Sequence, residues 1–295
     1  MPRKNLHDLS RSLDISVDDL RRLSECVQPY GCRIRQRPSG KPRLIRPPSM
    51  ELKAVQSRIH KKLLRTLRYP SYLHGYVPGR SFLTNARAHK LSKYFVCFDL
   101  QDFFPSIGYK RVASTFSKMG WSGHALVVLT RLTTHRGSLP QGAPTSALLA
   151  NLAAGDLDDR LLQFCATNDL VYTRYSDDLT FSSQVPTDTV IPWIDSIIRA
   201  SGFTANAAKT KLFGPQAAAL ITGLEVFQGT VRVPRAYIER TESAISAFRS
   251  RCAQMVPKIA SKAKARILGR LAYIRQIDTL EGRRLWELLD GSPQL

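Results

Sequence analysis

Three aspartates in this sequence have surroundings that suit chemistry better than solvation. Asp177 and Asp178 stand side by side in Arg174-Tyr175-Ser176-Asp177-Asp178-Leu179-Thr180-Phe181, and Asp99 closes the apolar run Tyr94-Phe95-Val96-Cys97-Phe98. Successive residues on a strand face opposite ways, so regular strand geometry cannot deliver both members of the pair to one site. A tight turn at Ser176-Asp177 removes that conflict and brings the first carboxylate toward a neighbouring strand, of which the run ending in Asp99 is the obvious choice. Carboxylates gathered this way repel, by roughly 4 kcal/mol for two unit charges about 4 Å apart at an effective dielectric near 20. A divalent cation relieves the repulsion, and hard oxygen ligands select Mg²⁺. Two such ions about 3.5–4 Å apart stabilise both the attacking and the leaving oxygen of a phosphoryl transfer. Adjacent acids also occur in ordinary turns, and Asp156, Asp158 and Asp159 read as a solvated helix face.

The partner that such chemistry would need is indicated by charge. Lys and Arg outnumber Asp and Glu 44 to 23, a net charge of +21, which favours a polyanion, nucleic acid ahead of an anionic membrane. The excess is clustered. Arg33 to Arg46 carries six cations and no acid, and Ser243 to Ile277 carries eight (Arg249, Arg251, Lys258, Lys262, Lys264, Arg266, Arg270 and Arg275), again with no acid. Eight phosphates neutralised on a duplex would give a log–log salt slope of roughly −7. With 43% hydrophobic residues the chain can bury a substantial core, and disorder is excluded as its general state. No run approaches the roughly 18 apolar residues of a membrane span, and the N-terminus lacks the apolar core of a signal peptide. Five scattered cysteines with no CxxC pair fit reduced thiols rather than a disulfide framework or a zinc site, so the expected location is the cytoplasm and no membrane partner is expected.

The elements that must position these residues follow from periodicity. Residues 1–30 read as two short helices, with Ser16 as N-cap and Asp18 and Asp19 in the first turn of the second. The same stretch has the rhythm of a helix-turn-helix, though its turn lacks Gly. Pro and Gly between Gln36 and Pro48 predict a turn joining two strands, and 51–67 carries helical spacing. A loop at 74–81, a helix at 82–91 and a strand at 94–98 follow. Gln141 to Thr145 forms a loop entering a helix at 146–165, and 170–181 is a hairpin. Val190 to Ala200 is helical, 219–233 contains strands, and the tail from about 237 is helical.

Five ordered segments resemble the motifs of reverse transcriptases, and within them the bacterial retron type. YSDD (175–178) is similar to the family's YxDD box, with serine where alanine is common. FDLQDFFPSI (98–107) resembles the box of the first aspartate, and LPQGAPTSALLANL (139–152) that of template and nucleotide. GFTANAAKTKLF (202–213) resembles the lysine-bearing box, and ITGLEV (221–226) the segment before the thumb. Asn85-Ala86-Arg87-Ala88-His89 fits the retron NAxxH pattern, and Ile221-Thr222-Gly223 sits where retrons carry VTG. The resemblance covers about residues 5 to 290.

It implies a right-hand polymerase, an α+β fold with an antiparallel-sheet palm. An N-terminal helical segment would occupy 1–29, fingers and palm 30–228, and a basic helical thumb 229–295. By resemblance Asp99, Asp177 and Asp178 hold two Mg²⁺ ions, for which Mn²⁺ can substitute. Arg43, flanked by Lys41, clamps the triphosphate of the incoming dNTP, a role that suits a planar guanidinium. Asp102 either orients the phosphates or caps the turn that follows it, and Phe104 is the steric gate against a 2′-hydroxyl, Phe103 being the better core residue. Gln141 and Gly142 lie against nucleotide or template, Gly142 because a bulkier residue would block close approach. Lys209, or alternatively Lys211, protonates the departing pyrophosphate. Asn85 and His89 contact the retron's RNA or else form a structural hydrogen bond. Thr222 and Gly223 join Arg249, Arg251, Lys258, Lys262, Lys264, Arg266 and Arg270 in binding that RNA.

The implied activity is RNA-directed DNA synthesis on a cognate structured noncoding RNA, primed from a guanosine 2′-hydroxyl and leaving branched RNA–DNA (msDNA), in defence against phage. A separate effector protein is an expected partner. Because 229–295 is too short for a thumb and a nuclease together, host RNase H is expected to remove the copied RNA. The competing readings are a reverse transcriptase of group II intron or abortive-infection type, and a non-catalytic RNA-binding scaffold.

Overall fold

The computed structural model describes residues 3–26, 30–36, 42–251, 254 and 256–290. The strands build three antiparallel sheets, the central one around the apolar run 94–98. β1 (Arg33–Arg35) and β2 (Arg43–Ile45) form a hairpin. β3 (Tyr94–Asp99), β4 (Val171–Tyr175), β5 (Asp178–Ser183) and β6 (Lys211–Phe213) form the central sheet in the order β4-β5-β3-β6. β7 (Ala219–Ile221), β8 (Leu224–Phe227) and β9 (Thr230–Arg232) form the third.

Strand parity divides the central sheet into two faces. Val96, Phe98, Leu179, Phe181, Tyr172 and Arg174 share one, by the registers Phe98↔Leu179, Val96↔Phe181, Tyr172↔Phe181 and Arg174↔Leu179. Its aromatics interlock, Phe98 edge-on to Phe181 at 5.9 Å and Tyr172 stacked on Phe181 at 5.0 Å. Cys97, Asp99, Thr173, Tyr175, Asp178 and Thr180 share the other.

The first face lies in a core that also takes in the N-terminal helices Leu6–Leu13 and Val17–Glu25, capped by Asn5 and Ser16. Leu9, Leu13 and Leu20 are fully buried there, each contributing roughly 1.5–3 kcal/mol of transfer free energy. The leucine stripes of these two helices close the same core as fingers and palm.

A second core joins the helix Phe82–Ala88, Phe95 of β3, the strands β7 to β9 and the helices Arg235–Arg251, Pro257–Ile277 and Thr279–Asp290. The expected boundary at 228/229 falls between β8 and β9, which pair through Phe227↔Thr230. The thumb's apolar body thus begins at β7. Two expected helices are also interrupted. The one at 146–165 divides into Ser146–Ala153 and Gly155–Thr167, at a glycine that weakens helix propagation. The one at 51–67 is α-helical over Met50–Ile59 and then widens into a π-turn, His60–Leu64.

Candidate active site

The two residues Ser176-Asp177 join β4 to β5 as a hairpin closed by Tyr175↔Asp178. Ser176 takes φ +63, the positive value a type II′ turn requires at its first central position. Asp178 then lies directly opposite Asp99 in the β3–β5 ladder, and the Asp177 carbonyl accepts a hydrogen bond of 2.9 Å from the Leu100 amide. The turn anticipated from the sequence forms, and it sets Asp178 across from Asp99.

Electrostatics agree with the proximity. The Asp178 carboxyl is pushed up to about 7, by burial first, then by Asp177 and Asp99, with Lys209 and Lys211 opposing. Lys209 Nζ sits 2.8 Å from Asp99 Oδ1. Lys211, paired with Cys97 in the β3–β6 register, is exposed on the same face. Among the described residues no three His, Cys, Asp or Glu side chains are drawn into a formed metal cage, and Asp99 is engaged by the lysine instead. The donor chemistry nevertheless fits a hard divalent cation: three carboxylates whose mutual repulsion a cation would remove.

These residues open onto a cleft of about 510 Å³. Its floor is Cys97, Asp99, Asp178 and Thr180, and its walls include Tyr175, Lys209, Thr222, Gly223, Phe82 and Tyr273. Thr222, at φ +47, donates from its hydroxyl to the Phe82 carbonyl at 2.9 Å, and Phe82 stacks on Tyr273 of the thumb at 5.3 Å.

The residues expected around the nucleotide are distributed as follows. Lys41 and the side chain of Arg43 lie outside the described residues; the Arg43 backbone pairs with Arg35. Asp102 is exposed at φ +44, and its side chain makes no capping hydrogen bond to the turn after it. Phe103 is buried and Phe104 half-buried, edge-on to each other at 5.7 Å. The Gln141 carbonyl accepts from the Arg46 amide at 2.7 Å. Gly142 takes φ +112, and a Cβ there would meet Ile45 Cγ2 at 2.7 Å. The close approach it permits in this structure is to the β1–β2 hairpin and Arg46 after it.

Two expectations of RNA contact give way. Asn85 and His89 are wholly buried. His89 Nδ1 lies 2.7 Å from Ser182 Oγ and Nε2 2.7 Å from Thr173 Oγ1, tying β5 to β4. Burial depresses its pKa to about 3, so the ring is neutral and offers no cation to a phosphate. Helical spacing placed both residues on one face, and that face turned inward. The thumb cations face out: Arg251, Lys258, Lys262, Lys264 and Arg266 are exposed. Arg249 is exposed and donates to the Leu288 carbonyl at 3.0 Å, and half-buried Arg270 donates to the Arg240 carbonyl at 3.3 Å.

Sequence reasoning missed the support beneath the turn. Asp158 is not solvated: it and Arg174 are fully buried and paired at 2.6 Å. An acid in step with Ala154, Leu161 and Cys165 on a helix, and a cation between Tyr172 and a turn on a core-facing strand, were the available signals.

Residues 34–251 match the family model "Reverse transcriptase (RNA-dependent DNA polymerase)". The chain belongs to the reverse transcriptase family and is an RNA-directed DNA polymerase of the bacterial retron type. It is 33% identical to the Retron Ec86 reverse transcriptase of Escherichia coli over 95% of its own length and 87% of that protein. It is 30% identical to the Retron Mx162 reverse transcriptase of Myxococcus xanthus, over 93% of this chain and 64% of that one. To the Retron Mx65 reverse transcriptase of Myxococcus xanthus it is 32% identical, over 74% of this chain and 57% of that one.

Proposed function

We propose that the protein copies part of a cognate structured noncoding RNA into DNA, beginning at the 2′-hydroxyl of a guanosine in that RNA and leaving branched RNA–DNA. The observation that carries the catalytic part is Asp99 set opposite Asp178 across one ladder at a cleft, with Asp177 in the adjoining turn and both neighbours raising the pKa of Asp178. Asp99, Asp177 and Asp178 are the residues that would hold two Mg²⁺ ions, or Mn²⁺; when bound, these supply charge stabilisation at the attacking hydroxyl and the departing pyrophosphate.

The chain's own groups do the rest. Lys209, exposed and free to leave Asp99, delivers a proton to the pyrophosphate oxygen, with Lys211 the alternative donor. Arg43 and Lys41 neutralise the triphosphate of the dNTP, and Asp102 orients its phosphates from the exposed turn. Phe104 crowds the sugar where a ribonucleotide would carry its 2′-hydroxyl. Gln141 and Gly142 shape the loop along which the template lies. Thr222 and Gly223, at the cleft wall, and the outward cations of the thumb hold the RNA, their charges drawing counterion-shielded phosphates into place.

The proposal extends to msDNA synthesis in the bacterial cytoplasm, to a separate effector acting against phage, and to host RNase H for removal of the copied strand; its support is the similarity to retron reverse transcriptases. Primer extension on an RNA template in Mg²⁺ tests the polymerase, with Asp177→Asn expected to abolish incorporation while sparing RNA binding. Sequencing of nucleic acid copurified with the protein tests the rest. Absence of a branched guanosine would refute the retron product.

A further inference from the structure

Beneath the Ser176-Asp177 turn every guanidinium N–H of Arg174 has an acceptor. Nε donates to Asp158 Oδ1 at 2.7 Å and Nη2 to Asp158 Oδ2 at 2.6 Å. Nη2 also donates to the Asn151 carbonyl at 3.0 Å, and Nη1 to Asn151 Oδ1 at 3.1 Å and to the Ser176 carbonyl at 3.2 Å. These bonds use all the donors the fork possesses. Asp158 additionally accepts from the Tyr172 hydroxyl at 2.7 Å, and Asn151 Nδ2 donates to the Gly75 carbonyl at 2.7 Å. Gly75 in turn lies so close under the turn that a Cβ would meet the Ser176 amide nitrogen at 2.7 Å.

Ser176 needs such a clamp. It is a buried, non-glycine residue in the left-handed region, a conformation that persists only where its surroundings over-determine it. The two residues after it are the catalytic pair of the reading above. We propose that Arg174 is a positioning residue for catalysis: by holding the Ser176 carbonyl from within the Asp158–Asn151 network, it sets the turn that aims Asp177 and Asp178.

The arrangement differs from a pair kept for stability. Replacing a buried ion pair with neutral side chains is often tolerated by a fold, whereas stranding one charge is not. The double variant Arg174→Met/Asp158→Asn removes both charges and leaves an acceptor for the Tyr172 hydroxyl. It loses the bond to the Ser176 carbonyl. Arg174→Lys keeps the charge beside Asp158 but lacks the fork that spans Asp158, Asn151 and Ser176 together.

Both variants, with wild type and Asp177→Asn alongside, are assayed by primer extension across a Mg²⁺ titration, with RNA binding and thermal unfolding measured on the same samples. The expected result for the double variant is a folded protein that binds RNA as wild type does. Its kcat falls on the order of 10²-fold, the scale of a 1 Å misplacement, and half-maximal rate requires more Mg²⁺. Arg174→Lys gives the same pattern to a lesser degree, and it decides the matter if the double variant fails to fold. A folded variant of either kind with kcat and Mg²⁺ requirement within about twofold of wild type overturns the inference. The inference rests on the aspartate triad being catalytic. Activity in Asp177→Asn would remove that reading, whereas wild-type rates in the Arg174 variants with an inactive Asp177→Asn would remove only this one.

Discussion

Asp178→Asn should stabilise the protein when divalent ions are chelated, and the gain should depend on pH in a way fixed by the site. The folded-state pKa of Asp178 is raised from 3.8 to about 7. Below 3.8 the carboxyl is protonated in both states and costs nothing. Between 3.8 and 7 the unfolded chain gives up the proton while the folded protein keeps it, so rising pH favours unfolding. Above 7 the folded protein carries the charge, and the penalty is constant. At about 1.36 kcal/mol per pKa unit the ceiling is roughly 4 kcal/mol. Water entering an open cleft screens the charges, and about 2 kcal/mol is the working expectation. For a domain of this size that is on the order of 4–8 °C in Tm. Melting wild type and Asp178→Asn in EDTA from about pH 4.5 to about pH 8 measures it, the difference between them cancelling acid effects elsewhere. The variant should gain little at the acid end and reach its full advantage above about pH 7. A Tm difference that is flat across this range would refute the claim that burial and the neighbouring carboxylates hold the Asp178 pKa up. Adding Mg²⁺ at the alkaline end should then raise wild type more than the variant.

Other expectations concern separate parts of the molecule. Gly142→Ala places a Cβ against Ile45 in a backbone region hostile to side chains, and should destabilise by about 1–3 kcal/mol. Hydrogen exchange should show the β1–β2 hairpin loosened, and unchanged protection around Ile45 would contradict this. Phe104→Ala should raise ribonucleotide incorporation relative to dNTP, and unaltered sugar discrimination would remove the gate assignment. Lys258→Ala combined with Lys262→Ala should make the slope of log affinity for RNA against log salt shallower, by about 0.7 for each single-strand phosphate that is no longer neutralised. An unchanged slope would place the phosphates elsewhere.

The carboxylate cluster was legible because its requirements are local. A strand that must end at Asp99 and a two-residue turn at Ser176-Asp177 leave a single way to bring the acids together, and the ladder Asp99↔Asp178 realises it. What surrounds the cluster was less legible because burial is a property of the whole chain. The rule that acids on helices face water placed Asp158 in solvent, and only the remote Arg174 makes its burial tolerable. The NAxxH spacing correctly put Asn85 and His89 on one helical face, yet periodicity does not say which face meets the sheet. The pairing of strands across residue 228 was hidden for a related reason. A turn at Gln228-Gly229 looks like punctuation in sequence, but its two strands pair and share a core with the thumb.

That shared core ties two distant parts of the hand to one strand. Phe95 is packed among the thumb's apolar side chains, and Asp99, four residues along β3 and on the same face, carries the carboxylate. The two positions are about 13 Å apart on a strand paired with β5 along its whole length and with β6 over Phe95 to Cys97. One strand therefore runs from the thumb's apolar core to the position where Asp99 faces Asp178.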